Sequence, residues 1–185
     1  MIEFITLKNK ENVKLIVDVL LYPLKINRDK SGILVETLRT DWKEIYGRGR
    51  EFTMQYYSVT PPGLARDEST WHYHPTVQED RFLVIDGEIV VAVADPRRDS
   101  PTNGLLNLFY MQASRDPYIL LIPKQTLHGF MVVSKRAATL LNFPTALYDP
   151  KEEKRLSYKE AGIKLRNGIL FNWDLVRSYL RNING

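Results

Sequence analysis

Cysteine is absent from the 185-residue chain, which removes disulfides, zinc–thiolate centres and thiol nucleophiles in one step. Histidine is scarce, with three residues in all, so imidazole chemistry has few places to reside. No stretch approaches the about 18 apolar residues of a membrane-spanning helix, and the opening MIEFITLKNKEN lacks the apolar run of a secretory signal. An excess of one charge is also missing: 26 Lys and Arg stand against 22 Asp and Glu, and the basic residues are scattered. That argues against a nucleic-acid partner, which concentrates cationic side chains on one face. One globular, cytoplasmic domain spanning residues 1–185 is expected at this length and at 44% hydrophobic content.

Most of what is present alternates. Apolar or alternating runs at 33–38, 52–59, 81–85, 88–94, 105–111, 118–122, 129–133 and 138–143 read as strands. Turn signals separate them: Thr60-Pro61-Pro62-Gly63, Asp86-Gly87, Asp95-Pro96, the stretch 100–104 and Asp116-Pro117. Many short strands with no helix between them indicate an antiparallel sandwich or barrel, with its core over about 33–145. Val13, Ile16, Val17 and Leu20 fall at helical spacing and predict a short N-terminal helix over 9–21, ended by Tyr22-Pro23. A helical turn is expected over 41–46. In the extension from about 151 to 185, Leu175, Val176, Tyr179 and Leu180 predict a C-terminal helix over 173–181.

His72 and His74 lie two apart in WHYHPTVQE, and residues two apart on a strand share a face. Glu79 follows five residues after His74, and His128 comes five residues after Pro123. This pattern resembles the two-part signature of the cupin superfamily, in which H-x-H is followed by a carboxylate and a glycine, here Gly87. The second part, P-x-G-x-x-H, has Gln125 in place of its glycine. The resemblance implies a cupin-type antiparallel β-barrel, the double-stranded β-helix or jelly roll, with a pocket around His72, His74, Glu79 and His128. In metal-binding cupins such residues hold one divalent iron, manganese, nickel or zinc ion, for which imidazole and carboxylate are suited ligands.

The segment GEIVVAVADPRRDSPTNG, 87–104, is similar to the central stretch of the dTDP-4-dehydrorhamnose 3,5-epimerases, through Asp95, Arg97, Ser100, Pro101, Thr102 and Gly104. Glu36, Gln55, Ser58, His72-Tyr73, Gln78, Ile122-Pro123, His128-Gly129-Phe130, Tyr148, Pro150 and Glu153 extend the likeness over about 24–165. The resemblance implies epimerisation next to the ketone of a 4-keto sugar, with His72 as base and His128 beside it. It also implies a homodimer whose sheets continue across the interface, and a sugar or nucleotide-sugar ligand. The family's lysine, which stabilises the enolate, counts to Asp80, a reversal of charge, with the cation Arg81 adjacent. Its acidic tyrosine counts to Asn142, and the aspartate partner of its histidine counts to Glu160. Glu36, Gln55 and Asn142 are expected to contact substrate, and Tyr56, Tyr57, Trp71 and Tyr73 are candidates to stack on a sugar or base. A metal at His72, His74, Glu79 and His128 could supply the electrophile that the lysine does not. Three readings stand at this point: a keto-sugar epimerase or isomerase, a metal-dependent cupin of another class such as a dioxygenase, and a sugar-binding cupin without catalysis.

Overall fold

The computed structural model describes residues 2–47 and 49–184. Its strands are β1 (Phe4–Ile5), β2 (Leu20–Pro23), β3 (Ile26–Asp29), β4 (Gly32–Val35), β5 (Tyr56–Thr60), β6 (Ala65–Arg66) and β7 (Thr70–Tyr73). They continue with β8 (Asp80–Asp86), β9 (Glu88–Ala94), β10 (Leu106–Gln112), β11 (Tyr118–Ile122), β12 (Leu127–Val132), β13 (Ala138–Asn142) and β14 (Lys154–Ser157). The helices are α1 (Lys43–Tyr46), α2 (Tyr158–Ala161) and α3 (Trp173–Asn184).

Two sheets face each other. The larger runs β1-β10-β9-β12-β7-β14, with β6 also on β12, and the smaller runs β2-β11-β8-β13-β5. The expected jelly roll is thus present as two facing sheets rather than one closed hydrogen-bonded barrel. Between them lies the main core, with Val91, Phe109 and Phe130 of the larger sheet meeting Val84, Leu120 and Leu140 of the smaller. Each sheet also has a covered outer face. Trp71, Leu127 and Met131 pack outward against Phe171, Trp173 and Val176 near and on α3. On the other side Leu83, Ile119 and Leu121 pack against Ile45 and Tyr46 of α1. Strands covered on both faces have no need to alternate, which accounts for the unbroken apolar runs of β9 and β11.

The predicted helix over 9–21 is corrected. Residues Lys10–Asn12 make one 3-10 turn, and the chain then passes through a second turn at 17–18 into β2. Distant side chains capture its backbone: Ile16 N–H donates to Asn107 Oδ1 at 2.9 Å and Val17 N–H to Thr102 Oγ1 at 3.1 Å. Asp18 has φ 70°, which no right-handed helix accommodates. The helical spacing of Val13 and Ile16 serves the main core instead. The C-terminal helix and the turn at 43–46 stand as expected. No described helix is long and apolar enough to cross a membrane.

Gly87 makes the turn from β8 to β9 with φ 75°, and a Cβ there would sit 2.8 Å from Ala137 O and from Ala138 Cα. Gly87→Ala should therefore cost about 3 kcal/mol, from strain and overlap together. Gly63→Ala has the same φ but nothing within 4 Å and should cost only about 1 kcal/mol. Urea unfolding of both checks this; equal losses would mean that the close approach costs nothing.

Candidate active site

A cavity of about 490 Å³ opens between the sheets, a size suited to a small organic ligand. Strand alternation decides what lines it. On β7 and β12, His72 and His128 point inward and are direct cross-strand partners. On the facing sheet, Asp80 shares the inner side of β8 with Phe82 and Val84, and Asn142 shares that of β13 with Leu140. Tyr56 of β5 is the register partner of Asn142 and also lines the cavity.

Asp80 is the centre of this arrangement, at 2% exposure. Its Oδ1 accepts from Gln78 Nε2 at 2.9 Å and from Asn142 Nδ2 at 2.7 Å. Its Oδ2 lies 3.3 Å from His74 Nε2 and 3.2 Å from His128 Nε2. Asn142 Nδ2 also donates to Tyr56 Oη at 2.8 Å, while Asn142 Oδ1 accepts from Arg81 N–H at 3.1 Å. His74 and His128 turn their Nδ1 atoms to the backbone carbonyls of Glu152, 3.3 Å away, and Thr126, 3.4 Å away. His72 Nε2 is 3.1 Å from His74 Nε2, and its Nδ1 has Asp67 Oδ2 at 3.9 Å.

The electrostatics follow from burial and neighbours. Burial pushes Asp80 up, but hydrogen bonds from His128 and His74 outweigh it and hold the carboxyl well below the usual carboxylate range. Burial likewise pulls His74 down, and the hydrogen bond and charge of Asp80 more than offset this, leaving it raised. His72 is lowered to about 4, first by burial and then by His128 and His74, so its ring is neutral at ordinary pH. Burial, then the charge of Asp80, raises Tyr56 to about 12 and keeps the phenol protonated.

Several predicted residues sit elsewhere. Glu79 is removed from the histidines: it is bound by Arg50, with Nη2 at 3.1 Å from Oε1, because neighbouring strand residues face opposite ways. His72, His74 and His128 do converge, with ligand atoms within 4.8 Å of one another, and Asp80 supplies the carboxylate beside them. Arg81, fully buried, points out of the cavity; its guanidinium donates to the carbonyls of Ile45, Arg50, Glu51, Phe143 and Pro144 and lies 4.3 Å over the Tyr46 ring. Glu160 is exposed in a capping box with Ser157 at the start of α2. The one carboxylate within 4 Å of His72 among the described residues is Asp67. Trp71 and Tyr73 face the outer cluster under α3, opposite in parity to His72. Glu36 is exposed and paired with Arg39 at 3.0 Å, and Gln55 is exposed beside β5. Asn142 is at the site, though its contacts are to Asp80 and Tyr56.

The sequence pattern does not assign Asp80 or Asp67 to the site, and it offers Tyr56 only as a stacking aromatic. For Asp80 two signals were available. Counting back seven positions from Gly87 reaches it, and it shares parity with the core residues Phe82 and Val84.

Comparisons with known proteins agree with this architecture. Residues 14–178 match the family described as dTDP-4-dehydrorhamnose 3,5-epimerase. A Haloferax volcanii protein described as a probable low-salt glycan biosynthesis epimerase, Agl13, is 39% identical over 143 residues, 76% of this chain and 87% of that protein. The Bacillus subtilis spore coat polysaccharide biosynthesis protein SpsL is 30% identical over 148 residues, 79% of this chain and 88% of its own. Among solved structures, a dTDP sugar isomerase from Desulfovibrio desulfuricans G20 superposes with a TM-score of 0.72 at 23% identity, over 86% of this chain and 92% of that one. A dTDP-6-deoxy-D-glucose-3,5-epimerase from Legionella pneumophila, in complex with dTDP-4-keto-L-rhamnose, gives 0.67 at 23% identity, over 80% and 82%. The two structures speak to the fold.

The placement of Arg81 makes it a structural cation. Arg81→Lys cannot reproduce a fork that serves five carbonyls, and should lower stability by about 2–4 kcal/mol. Denaturant unfolding measures this, and a loss below about 0.5 kcal/mol would contradict it.

Proposed function

The chain belongs to the dTDP-4-dehydrorhamnose 3,5-epimerase family, and from that premise we propose that its cavity binds a nucleotide-activated 4-keto-6-deoxy sugar and inverts a carbon next to the ketone. The observation that carries the proposal is the position of His72 and Tyr56 on opposite walls. Inversion needs a proton removed from one face of the sugar and another delivered to the other face.

His72 is neutral, faces the cavity, and has no carboxylate closer than Asp67 at 3.9 Å. It accepts the proton from the carbon that the 4-ketone has acidified, and the electron pair moves into an enolate. Tyr56 is on the facing sheet. Its oxygen accepts from Asn142, so its own proton is free to point into the cavity, and a raised pKa keeps that proton in place. The phenol protonates the carbon from the opposite face and recovers its proton from solvent, while His72 releases the one it took. The family's tyrosine position, Asn142, thus has a phenol directly across the strand pair. Arg66, with no carboxylate within 4 Å among the described residues, and Arg155 also line the cavity, where cations suit a diphosphate. The names of Agl13 and SpsL, an epimerase of glycan biosynthesis and a polysaccharide biosynthesis protein, support the same substrate class.

Proton NMR of dTDP-4-keto-6-deoxyglucose with the enzyme in heavy water tests this. Deuterium should enter C3 or C5, and His72→Asn should lower the rate by about 100-fold or more. Tyr56→Phe should retain deuterium entry while epimer formation falls by about 10- to 100-fold. A wild-type enzyme that exchanges neither position would contradict the proposal.

A homodimer is part of this reading. Among the described residues the β3–β4 hairpin pairs with no other strand and exposes Ile33 at 50% and Leu34 at 62%; edge strand β5 exposes Tyr57 at 67% and Val59 at 54%. An apolar hairpin and an open strand edge of this kind call for a partner. Light scattering should give a dimer that Ile33→Glu with Leu34→Glu converts to monomer; a monomeric wild type would exclude it.

A further inference from the structure

The proposed base stands beside a guanidinium. Arg155 on β14 is the direct cross-strand partner of His72 on β7, and both side chains line the cavity. Arg155 Nε donates to Asp67 Oδ1 at 2.8 Å, and its Nη1 lies 2.6 Å from Glu153 Oε1. Asp67 turns its other oxygen to His72, but Oδ2 stops 3.9 Å from Nδ1, beyond hydrogen-bond reach. We propose that Arg155 couples the diphosphate end of the ligand to the base: it holds Asp67 short of His72 in the empty cavity and yields the carboxylate when phosphate groups arrive. This coupling rests on the epimerase reading and gives that site a reason to favour a nucleotide-activated sugar over a free one.

The surroundings of Asp67 leave its side chain as the moving part. Its backbone has φ 58°, a left-handed conformation that aspartate tolerates. Its carbonyl accepts from Thr70 N–H at 3.3 Å and from Tyr158 Oη at 3.0 Å. With the main chain tied, side-chain rotation that advances Oδ2 by about 1 Å reaches ordinary hydrogen-bond length. Arg155 is half-exposed toward the cavity and already serves two carboxylates. A diphosphate is a strong, bidentate acceptor for a guanidinium, and its charge repels the carboxylates that share that cation. Asp67, released and repelled, closes on His72 Nδ1.

The consequence for the base is a choice of tautomer. His74 Nε2 is 3.1 Å from His72 Nε2, but His74 gives its proton to Asp80. No carboxylate other than Asp67 lies within 4 Å of His72 among the described residues, so the empty cavity leaves the tautomer of His72 unfixed. A carboxylate at Nδ1 holds the proton there and presents the lone pair on Nε2. Asp67 and Arg155 are therefore positioning residues, and Arg155 also selects for the anionic end of the ligand.

Imidazole ¹⁵N NMR with dTDP alone, which carries the diphosphate and no reacting sugar, tests the coupling. In free protein the two ring nitrogens of His72 should give partly averaged resonances, and saturating dTDP should move them apart to the Nδ1–H form. Arg155→Gln should show the separated pair without dTDP. Asp67→Asn, which tolerates the same backbone, should not show it at all; Asp67→Gly repeats the test should circular dichroism find the asparagine variant unfolded. Arg66→Gln, which removes the other cavity arginine, should weaken dTDP binding about 10-fold and still give the separated pair at saturation. In turnover, Asp67→Asn should lower kcat about 10- to 100-fold with KM within about threefold of wild type. A wild-type His72 that ignores bound dTDP overturns the proposal, as does a separation that survives loss of Asp67. A dTDP response without deuterium entry into the keto sugar would leave the coupling standing and remove the epimerase reading; deuterium entry without a dTDP response would do the reverse.

Discussion

Burying a carboxylate costs several kcal/mol unless hydrogen bonds and counter-charge replace the lost water. Asp80, at 2% exposure, is held by Gln78, Asn142, His74 and His128. The rest of the site depends on meeting that demand. Two of these partners come from the segment that joins the sheets, one from β13 and one from β12. The carboxylate therefore ties the facing sheets together at the open end of the core. By engaging two histidines it also distinguishes the third, leaving His72 neutral and directed at the cavity.

The chemistry follows from a sandwich whose two inner faces carry different groups. The larger sheet brings His72 and His128, and the smaller brings Asp80, Asn142 and Tyr56. Under the proposed epimerisation, a substrate between them would meet His72 on one side and the Tyr56 phenol on the other. Where the family resemblance expects a lysine, the smaller sheet presents the Asp80 carboxylate. The neighbouring Arg81 does not repair the loss, because its charge is spent on five carbonyls behind the smaller sheet.

Much of this was legible in the sequence, wherever the signal was local. Alternating runs and Gly or Pro turns gave the strands, and Leu175, Val176 and Tyr179 gave α3. The three histidines stood out by their spacing and do converge. The H-x-H spacing points to Glu79, whereas strand parity points to Asp80, since Phe82 and Val84 put the even positions of β8 inside. The same parity places Trp71 and Tyr73 behind the sheet that presents His72. Ser157 and Glu160 form the local S-x-x-E capping pattern, which marks Glu160 as a helix cap. Residues 9–21 and Arg81 were not legible in this way. Asn107 and Thr102 reach the former from 91 and 85 residues away, and Arg81 finds its carbonyls 30 to 63 residues away.

With three histidines in the chain, imidazole ¹⁵N NMR resolves each ring and addresses the central claim directly. In metal-free protein, replacing Asp80 by Asn should move the Nε2 resonances of His74 and His128 far more than that of His72. Comparable movement of all three, or of none, would contradict a site organised around the buried carboxylate.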